Sequence, residues 1–97
     1  MIHHLVLFRY RTDATAAQLA AAERGLLALQ HQIPEIRAIS YGPNLAPSAA
    51  DWPYVLVVQL DDMAAVRGYA DHPAHVACVR DFIAPLRDAR LAADVAL

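Results

Sequence analysis

Hydrophobic and polar positions alternate at the start of the chain, and this period of two predicts a first β-strand over residues Ile2–Arg11. One side of the strand carries Ile2, His4, Val6, Phe8 and Tyr10, and the other carries His3, Leu5, Leu7, Arg9 and Arg11. Because neighbouring residues of a strand point to opposite faces, His3 and His4 cannot serve one site. We expect His4, which shares its face with apolar residues, to be the interior one, either as a hydrogen-bonded core histidine or as part of a site.

A helical period follows and predicts the first helix. Thr15 and Gln18 have the spacing of a capping box, in which each side chain bonds the other residue's backbone N–H. Apolar residues then recur at steps of three and four over about 17 residues. They are Leu19, Ala22, Leu26, Leu29 and Ile33, and Pro34 ends the helix.

Two further strands are predicted in the middle of the chain, over Ile36–Gly42 and Tyr54–Leu60. The segment between them is rich in Pro, Ala, Ser and Asn, which is typical of an exposed loop. The second of these strands is almost continuously apolar and rich in β-branched residues. Both of its faces should therefore be covered.

The second helical region runs from Met63 to about Ala84 and is divided at His72 and Pro73. Proline disfavours helical geometry in the residue before it but is favourable in a first helical turn, so we expect His72 to be the N-cap of the second segment. His75 then occupies the third helical position. The positive end of the helix dipole disfavours a protonated imidazole there, which favours the neutral form that a general base needs.

A last strand over Arg90–Leu97 completes the order β-α-β-β-α-β. This order is typical of the ferredoxin-like α+β fold, with a four-stranded antiparallel sheet and helices on one face. The other sheet face lacks a cover, so we expect a homodimer in which the sheets of two copies face each other and form a dimeric α/β barrel. Residues 1–97 are expected to form a single domain.

Composition and charge exclude several classes of function. The eight basic residues are all arginine, lie singly along the chain and leave a net charge of −2, so we expect no nucleic-acid partner. No apolar run approaches the roughly 20 residues of a membrane span, so no membrane partner is expected. A single cysteine, Cys78, and the absence of a targeting motif indicate the reducing cytoplasm. No glycine-rich phosphate loop or nucleotide fingerprint appears, and we predict no cofactor.

The residues best suited to chemistry are concentrated in the segment Tyr69–His75, which contains a phenol, a carboxylate and two imidazoles. If the chain turns at the proline, Tyr69 and His75 can converge on one pocket, with His4 reaching in from the first strand. Metal binding by His72 and His75 is an alternative, although a capping His72 points elsewhere and no Cys or Glu lies near. In a purely structural interpretation, His72 only caps the helix and His75 is a half-buried surface histidine.

Several short motifs accompany this segment: Tyr69-x-x-His72-Pro73-x-His75, His4-Leu5-Val6-Leu7-Phe8, Ile33-Pro34, Tyr41-Gly42 and Tyr54. With them, nearly the whole chain resembles the stress-responsive dimeric α/β-barrel (Dabb) family, which includes a cofactor-independent polyketide cyclase of plants, olivetolic acid cyclase. The resemblance implies a catalytic pair. His75 would remove a proton from an activated methylene, and Tyr69 would hydrogen-bond the carbonyl where negative charge develops.

The resemblance also implies a substrate pocket. Its expected lining residues are His4, Val6, Phe8, Leu26, Leu56 and His72. Leu26 and Leu56 replace a helix-one tyrosine and a strand-three histidine of the cyclase pocket, so the pocket floor here is more apolar. We therefore expect a small, largely apolar ligand and do not transfer the plant activity to this chain.

Three functions remain open from the sequence. The first is a small-molecule site that performs proton-transfer chemistry, such as an aldol-type cyclisation or an isomerisation. The second is a non-enzymatic dimer of the stress response, in which the His-Pro motif is only a helix break. The third is the metal binding by His72 and His75 described above, and a cofactor-free monooxygenase of the same barrel architecture is a further enzymatic possibility.

Overall fold

The alternating residues at the start of the chain form an inner strand of a four-stranded antiparallel sheet in the computed structural model, which describes residues Met1–Leu97. In chain order the elements are β1 (Ile2–Tyr10), α1 (Ala16–Gln32), β2 (Ala38–Pro43), β3 (Tyr54–Leu60), α2 (Met63–Asp71), α3 (Pro73–Cys78) and β4 (Arg87–Ala96). The strand order is β2-β3-β1-β4, and the helices cover one face. The predicted ferredoxin-like βαββαβ fold is therefore confirmed.

The predicted capping box defines the start of α1. Thr15 Oγ1 accepts a hydrogen bond from the Gln18 N–H at 3.1 Å, and the Thr15 N–H donates to Gln18 Oε1 at 2.9 Å. An N-cap of this kind stabilises a helix by about 1 kcal/mol. The helix then runs for 17 residues and buries Ala22, Leu26 and Leu29 against the sheet.

Strand β2 begins at Ala38 rather than at the predicted Ile36. The Ile36 N–H donates to the Ile33 carbonyl at 3.2 Å, so Ile36 belongs to the turn after α1, and its side chain is buried in the core. Ile36 is therefore apolar because it is buried in the core, and not because it belongs to the strand. The predicted loop after β2 is also more ordered than expected, because Pro47–Ala50 form a 3-10 turn.

Strand β4 begins at Arg87, three residues before the predicted start. Its first residues are polar, so they lack the alternation that indicates a strand. Arg9 pairs with Ala89 and Tyr10 pairs with Arg87, which leaves Asp88 unpaired in a β-bulge. The Asp88 carboxylate instead accepts a hydrogen bond from Arg9 Nε at 2.7 Å.

The core lies between the helices and one face of the sheet, and all its members are apolar or aromatic. Sixteen residues are buried, and no charged side chain is among them. The largest fully buried side chains are Tyr69, Leu26, Leu29, Ile33, Leu56, Leu60, Ile83 and Val58. Along β3, buried and half-buried residues alternate, which shows that the helices cover only one of its two apolar faces.

The other face, which we call the open sheet face, is apolar and has no cover within the chain. It presents Leu5, Leu7, Val55, Val57, Leu91, Ala93 and Val95. Leu91 is 50% exposed and Val95 is 42% exposed. A contiguous apolar surface of this kind marks an interaction site in a soluble protein. No helix of the chain has the length and apolar character needed to cross a membrane.

Candidate functional site

A cavity of about 460 Å³ opens between the sheet and the α2–α3 region, within the usual size range of small-molecule sites. Its lining consists of His4, Val6, Phe8, Leu26, Leu56, Tyr69, Ala70, His75, Val79, Ile83, Arg87, Arg90 and Ala92. Seven of the eight residues predicted for the site are in this set, and only His72 is missing. A second groove of about 480 Å³, between α1 and α3, contains none of them.

His72 lies at the break between α2 and α3, where it acts as a cap. The Ala74 N–H donates to His72 Nδ1 at 3.0 Å, and Pro73 is the first residue of α3, as the sequence predicted. The same bond explains why His72 does not join the pocket, because its ring is held against the backbone of the next turn. The predicted capping role of His72 is thus present, whereas the prediction that His72 also lines the substrate pocket is corrected.

Tyr69 is the deepest polar side chain of the cavity, with only 1% of its surface exposed. Its ring meets His4 edge-on, with centroids 5.8 Å apart, and lies 4.5 Å from the His75 ring. Its hydroxyl makes no hydrogen bond within the chain. Because every fully buried polar side-chain atom of the protein has a hydrogen-bond partner, the Tyr69 hydroxyl is not fully buried and opens into the cavity. Burial raises the pKa of the Tyr69 phenol, the nearby Cys78 raises it further, and Arg90 lowers it. The phenol is therefore a protonated hydrogen-bond donor.

His75 is held by the backbone of the preceding helix. Its Nδ1 lies 2.9 Å from the Ala70 carbonyl oxygen, and since a carbonyl only accepts, Nδ1 carries the proton and Nε2 is a free base. Burial lowers the pKa of His75 most, the Ala70 carbonyl opposes this, and the charges of His4 and Arg90 lower it further. With its pKa lowered from the ordinary value of 6.5, the ring is neutral near pH 7.

His4 enters the cavity from β1 and is paired with a carboxylate that sequence reasoning missed. His4 Nδ1 donates to Asp94 Oδ1 at 2.6 Å, and the two residues are direct partners in the β1–β4 ladder. This bond assigns the proton to Nδ1 and fixes the ring beside Tyr69. Asp94 lies two residues after Ala92 on β4, so both side chains are on the same face of the sheet. Only the strand register reveals that Asp94 stands opposite His4.

No group of three or more His, Cys, Asp or Glu side chains is arranged to hold a metal ion. His72 Nδ1 and His75 Nδ1 are both bonded to backbone groups, on opposite sides of the helix break. What the cavity offers is acid–base chemistry. A base at His75 Nε2 and a donor at the Tyr69 hydroxyl share a cavity with a mostly apolar lining, and a hydrogen-bond donor fixed in such surroundings can stabilise a developing charge.

Two comparisons of the sequence give the same family. The profile of the stress-responsive A/B barrel domain matches residues 2–97. The chain is also 30% identical over 95 residues to a stress-response A/B barrel domain-containing protein of Arabidopsis thaliana. That alignment covers 97% of this chain but 36% of the plant protein, so the chain spans about a third of its relative's length.

Solved structures share the fold. A dimeric ferredoxin-like protein of Thermobifida fusca is 33% identical with a TM-score of 0.84, covering 99% of this chain and 90% of that one. A dimeric protein of ferredoxin-like fold from Bacteroides fragilis is 29% identical, also with a TM-score of 0.84, over 99% and 95% of the two chains. Both likenesses extend over essentially every element described above.

Proposed function

The chain belongs to the family of stress-responsive A/B barrel domains, and we propose that it binds a small, largely apolar carbonyl compound and moves a proton on it. One observation carries this proposal. The neutral His75 imidazole, with Nε2 free, and the protonated Tyr69 phenol line one apolar cavity. Enolisation without a cofactor requires at least a base and a hydrogen-bond donor that contact the same substrate.

The proposed reaction begins when His75 Nε2 takes a proton from the carbon next to the substrate carbonyl. The electron pair of that C–H bond moves onto the carbonyl oxygen, and the Tyr69 hydroxyl donates a hydrogen bond to the resulting enolate. The enolate carbon then either attacks a second carbonyl of the same molecule, which is a cyclisation, or is reprotonated elsewhere, which is an isomerisation. His75 returns its proton in either case, so no oxidant or cofactor is consumed.

His4 is a positioning residue in this scheme. Its ring edge contacts the Tyr69 ring, and its own orientation is fixed by the 2.6 Å bond to Asp94. The Tyr69 phenol thus keeps one orientation in the free protein. A donor that is already oriented costs no reorganisation when charge develops on the substrate.

We also propose that two copies pair through the open sheet face and close a dimeric barrel. Its uncovered apolar residues, among them Leu91 and Val95, support this, as do the two solved relatives described as dimeric. A cytoplasmic location stays a prediction from the sequence.

One observation favours a second candidate function, the non-enzymatic stress-response dimer. The side chains of His72 and His75 both bond backbone groups around the helix break, so the motif also has a structural use. In this case the loss of His75 would reduce stability and nothing else.

The two functions differ in how the His75→Ala variant behaves towards a neutral β-diketone such as benzoylacetone. If the proposal is correct, the protein accelerates deuterium uptake from heavy water at the carbon between the carbonyls, and His75→Ala removes this acceleration while binding persists in calorimetry. The matched control is His31→Ala, since His31 is exposed at the end of α1 and does not line the cavity. Equal exchange in the native and His75→Ala proteins would leave only the structural role.

A further inference from the structure

Two arginines line the cavity without any partner. Four of the eight arginines form ion pairs with carboxylates, at 2.7–2.8 Å, and these are Arg9, Arg11, Arg37 and Arg80. Arg87 and Arg90 form no ion pair and no side-chain hydrogen bond within the chain, although both border the cavity. No carboxylate lines the cavity, and Asp94, which stands opposite His4 in the β1–β4 ladder, is bonded to His4.

The β-bulge in β4 places the side chains of Arg87 and Arg90 on the same face of the sheet, where both border the cavity. Residues three apart on a regular strand point to opposite faces. Here the unpaired Asp88 shifts the alternation, so that Arg90 stands opposite Phe8 and Arg87 opposite Tyr10, both on the cavity side of the sheet. Bulges commonly re-aim side chains next to functional sites.

The cavity therefore has two chemically different ends. Along the β1–β4 ladder, His4 lies at one end, and Arg90 and Arg87 stand opposite Phe8 and Tyr10 at the other. From His4 to Phe8 the strand rises by about 13 Å between backbone positions, and the long arginine side chains shorten the gap to the acid–base pair. Leu56, the ladder partner of Val6, belongs to the apolar lining between these ends.

We propose that the substrate is an oxo-carboxylate, whose carboxylate is bound by Arg90 and Arg87 while its carbonyl carbon chain reaches His75 and Tyr69. The inference rests on the proposed function and deepens it by naming the substrate class. A guanidinium presents two parallel N–H donors that match the two oxygens of a carboxylate. A concave apolar site that holds two unpaired cations attracts an anion.

The test uses succinylacetone, a β-diketone with a carboxylate at one end, its neutral methyl ester, and an analogue in which a phosphonate replaces the carboxylate. Calorimetry in low salt measures the ratio of the two affinities, carboxylate over ester. We expect the native protein to favour the carboxylate by about tenfold or more, as is typical of a hydrogen-bonded charge pair, and this preference should shrink as salt is added. In Arg90→Gln the ratio should fall towards one.

Arg67→Gln is the matched control, because Arg67 is exposed on α2, makes no ion pair and does not border the cavity. It removes the same charge and should keep the native ratio. A native ratio near one, or an equal fall in Arg67→Gln and Arg90→Gln, would overturn the inference. Tighter binding of the phosphonate analogue than of the carboxylate would overturn the assignment to oxo-carboxylates.

Deuterium uptake separates this inference from the proposed function. In one outcome, both the acid and the ester exchange, the exchange depends on His75, and the protein shows no preference for the carboxylate. This outcome refutes the arginine assignment and is consistent with the proposed proton transfer. A carboxylate preference that depends on Arg90, without exchange in any protein, supports the anion site and refutes the catalysis. If neither probe binds, both ideas are wrong.

Discussion

The rings of Tyr69 and His75 lie 4.5 Å apart at an interplanar angle of 51°, although the two residues belong to different helices. In one continuous helix, positions six apart would be separated by about 120° around the axis and could not meet over one cavity. The break at His72 and Pro73 removes this restriction. The helix break is therefore the feature that creates the acid–base pair.

Replacing Tyr69 by Phe removes only the hydroxyl that opens into the cavity. Because this hydroxyl has no partner within the chain, the free energy of unfolding should change by less than about 1 kcal/mol. Deuterium uptake by a bound β-diketone should fall by about 100-fold, the usual cost of losing one donor to a developing oxyanion. Denaturant unfolding and exchange kinetics measure the two quantities.

The control for Tyr69→Phe is Tyr54→Phe, since Tyr54 is a half-buried tyrosine on β3 that does not border the cavity. It should leave exchange unchanged. A similar fall in both variants would mean that the phenol of Tyr69 has no special part in the reaction.

The lowered pKa of His75 predicts a dependence of stability on pH. In the unfolded chain an imidazole titrates near its ordinary value of 6.5, whereas the folded state lowers it. As the pH falls through 6.5, the unfolded state takes up the proton first, so stability is lost until the folded pKa is reached and then changes no further from this group. Thermal unfolding between about pH 7.5 and about pH 5 should show this loss, and it should be smaller in His75→Gln.

The titration of His75 itself can be followed by NMR. Its midpoint should lie below 6.5, while the proposed proton exchange should persist to a lower pH than free imidazole would allow. A midpoint above 6.5 would contradict both the burial of His75 and its role as a neutral base.

The two faces of helix α1 give a prediction about the core. Leu29 is fully buried and Leu27 is 37% exposed on the same helix. Leu29→Ala should lower the free energy of unfolding by about 2–5 kcal/mol, because it leaves a cavity against the sheet, whereas Leu27→Ala should cost less than about 1 kcal/mol. Equal losses in chemical denaturation would show that the helix is rotated from the position described.

The order of elements and the helix break followed from the sequence because each has a local cause. The capping box of Thr15 and the fixed backbone angle of Pro73 act within one or two turns, so the residues alone reveal them. The cavity lining was also within reach, since His4, Val6 and Phe8 share one face of an alternating strand. The family resemblance then indicated which polar residues would meet there.

Asp94, Arg87 and Arg90 could not be found in the same way. The strand register places Asp94 beside His4, and the register with the bulge at Asp88 brings Arg87 and Arg90 to the cavity; both depend on contacts between residues about 80 positions or more apart. The first residues of β4 are mostly polar, so a pattern of alternating hydrophobic residues does not reveal that Arg87 and Arg90 belong to a strand. His72 was predicted both to cap α3 and to line the pocket, but its ring, bonded to the Ala74 N–H, does not also reach the cavity.

The open sheet face gives the last prediction. Val57 lies on this face, directly opposite Leu5 of β1, and is half-buried even in one copy of the chain. If two copies pair through this face, Val57→Asp places an unpaired charge in the interface, which costs about 3 kcal/mol or more in each subunit. Light scattering should therefore show a dimer for the native protein at micromolar concentration, and a monomer or an unfolded chain for the variant.

The matched control is Leu45→Asp, because Leu45 is 92% exposed in the loop after β2 and lies outside the open sheet face. It introduces the same charge and should remain a stable dimer. A native protein that stays monomeric, or a Val57→Asp protein that remains a dimer, would show that the open sheet face is not the interface. A dimer that is lost in Leu45→Asp but kept in Val57→Asp would instead assign the interface to the loop after β2, and the two sheets would then not close into a barrel.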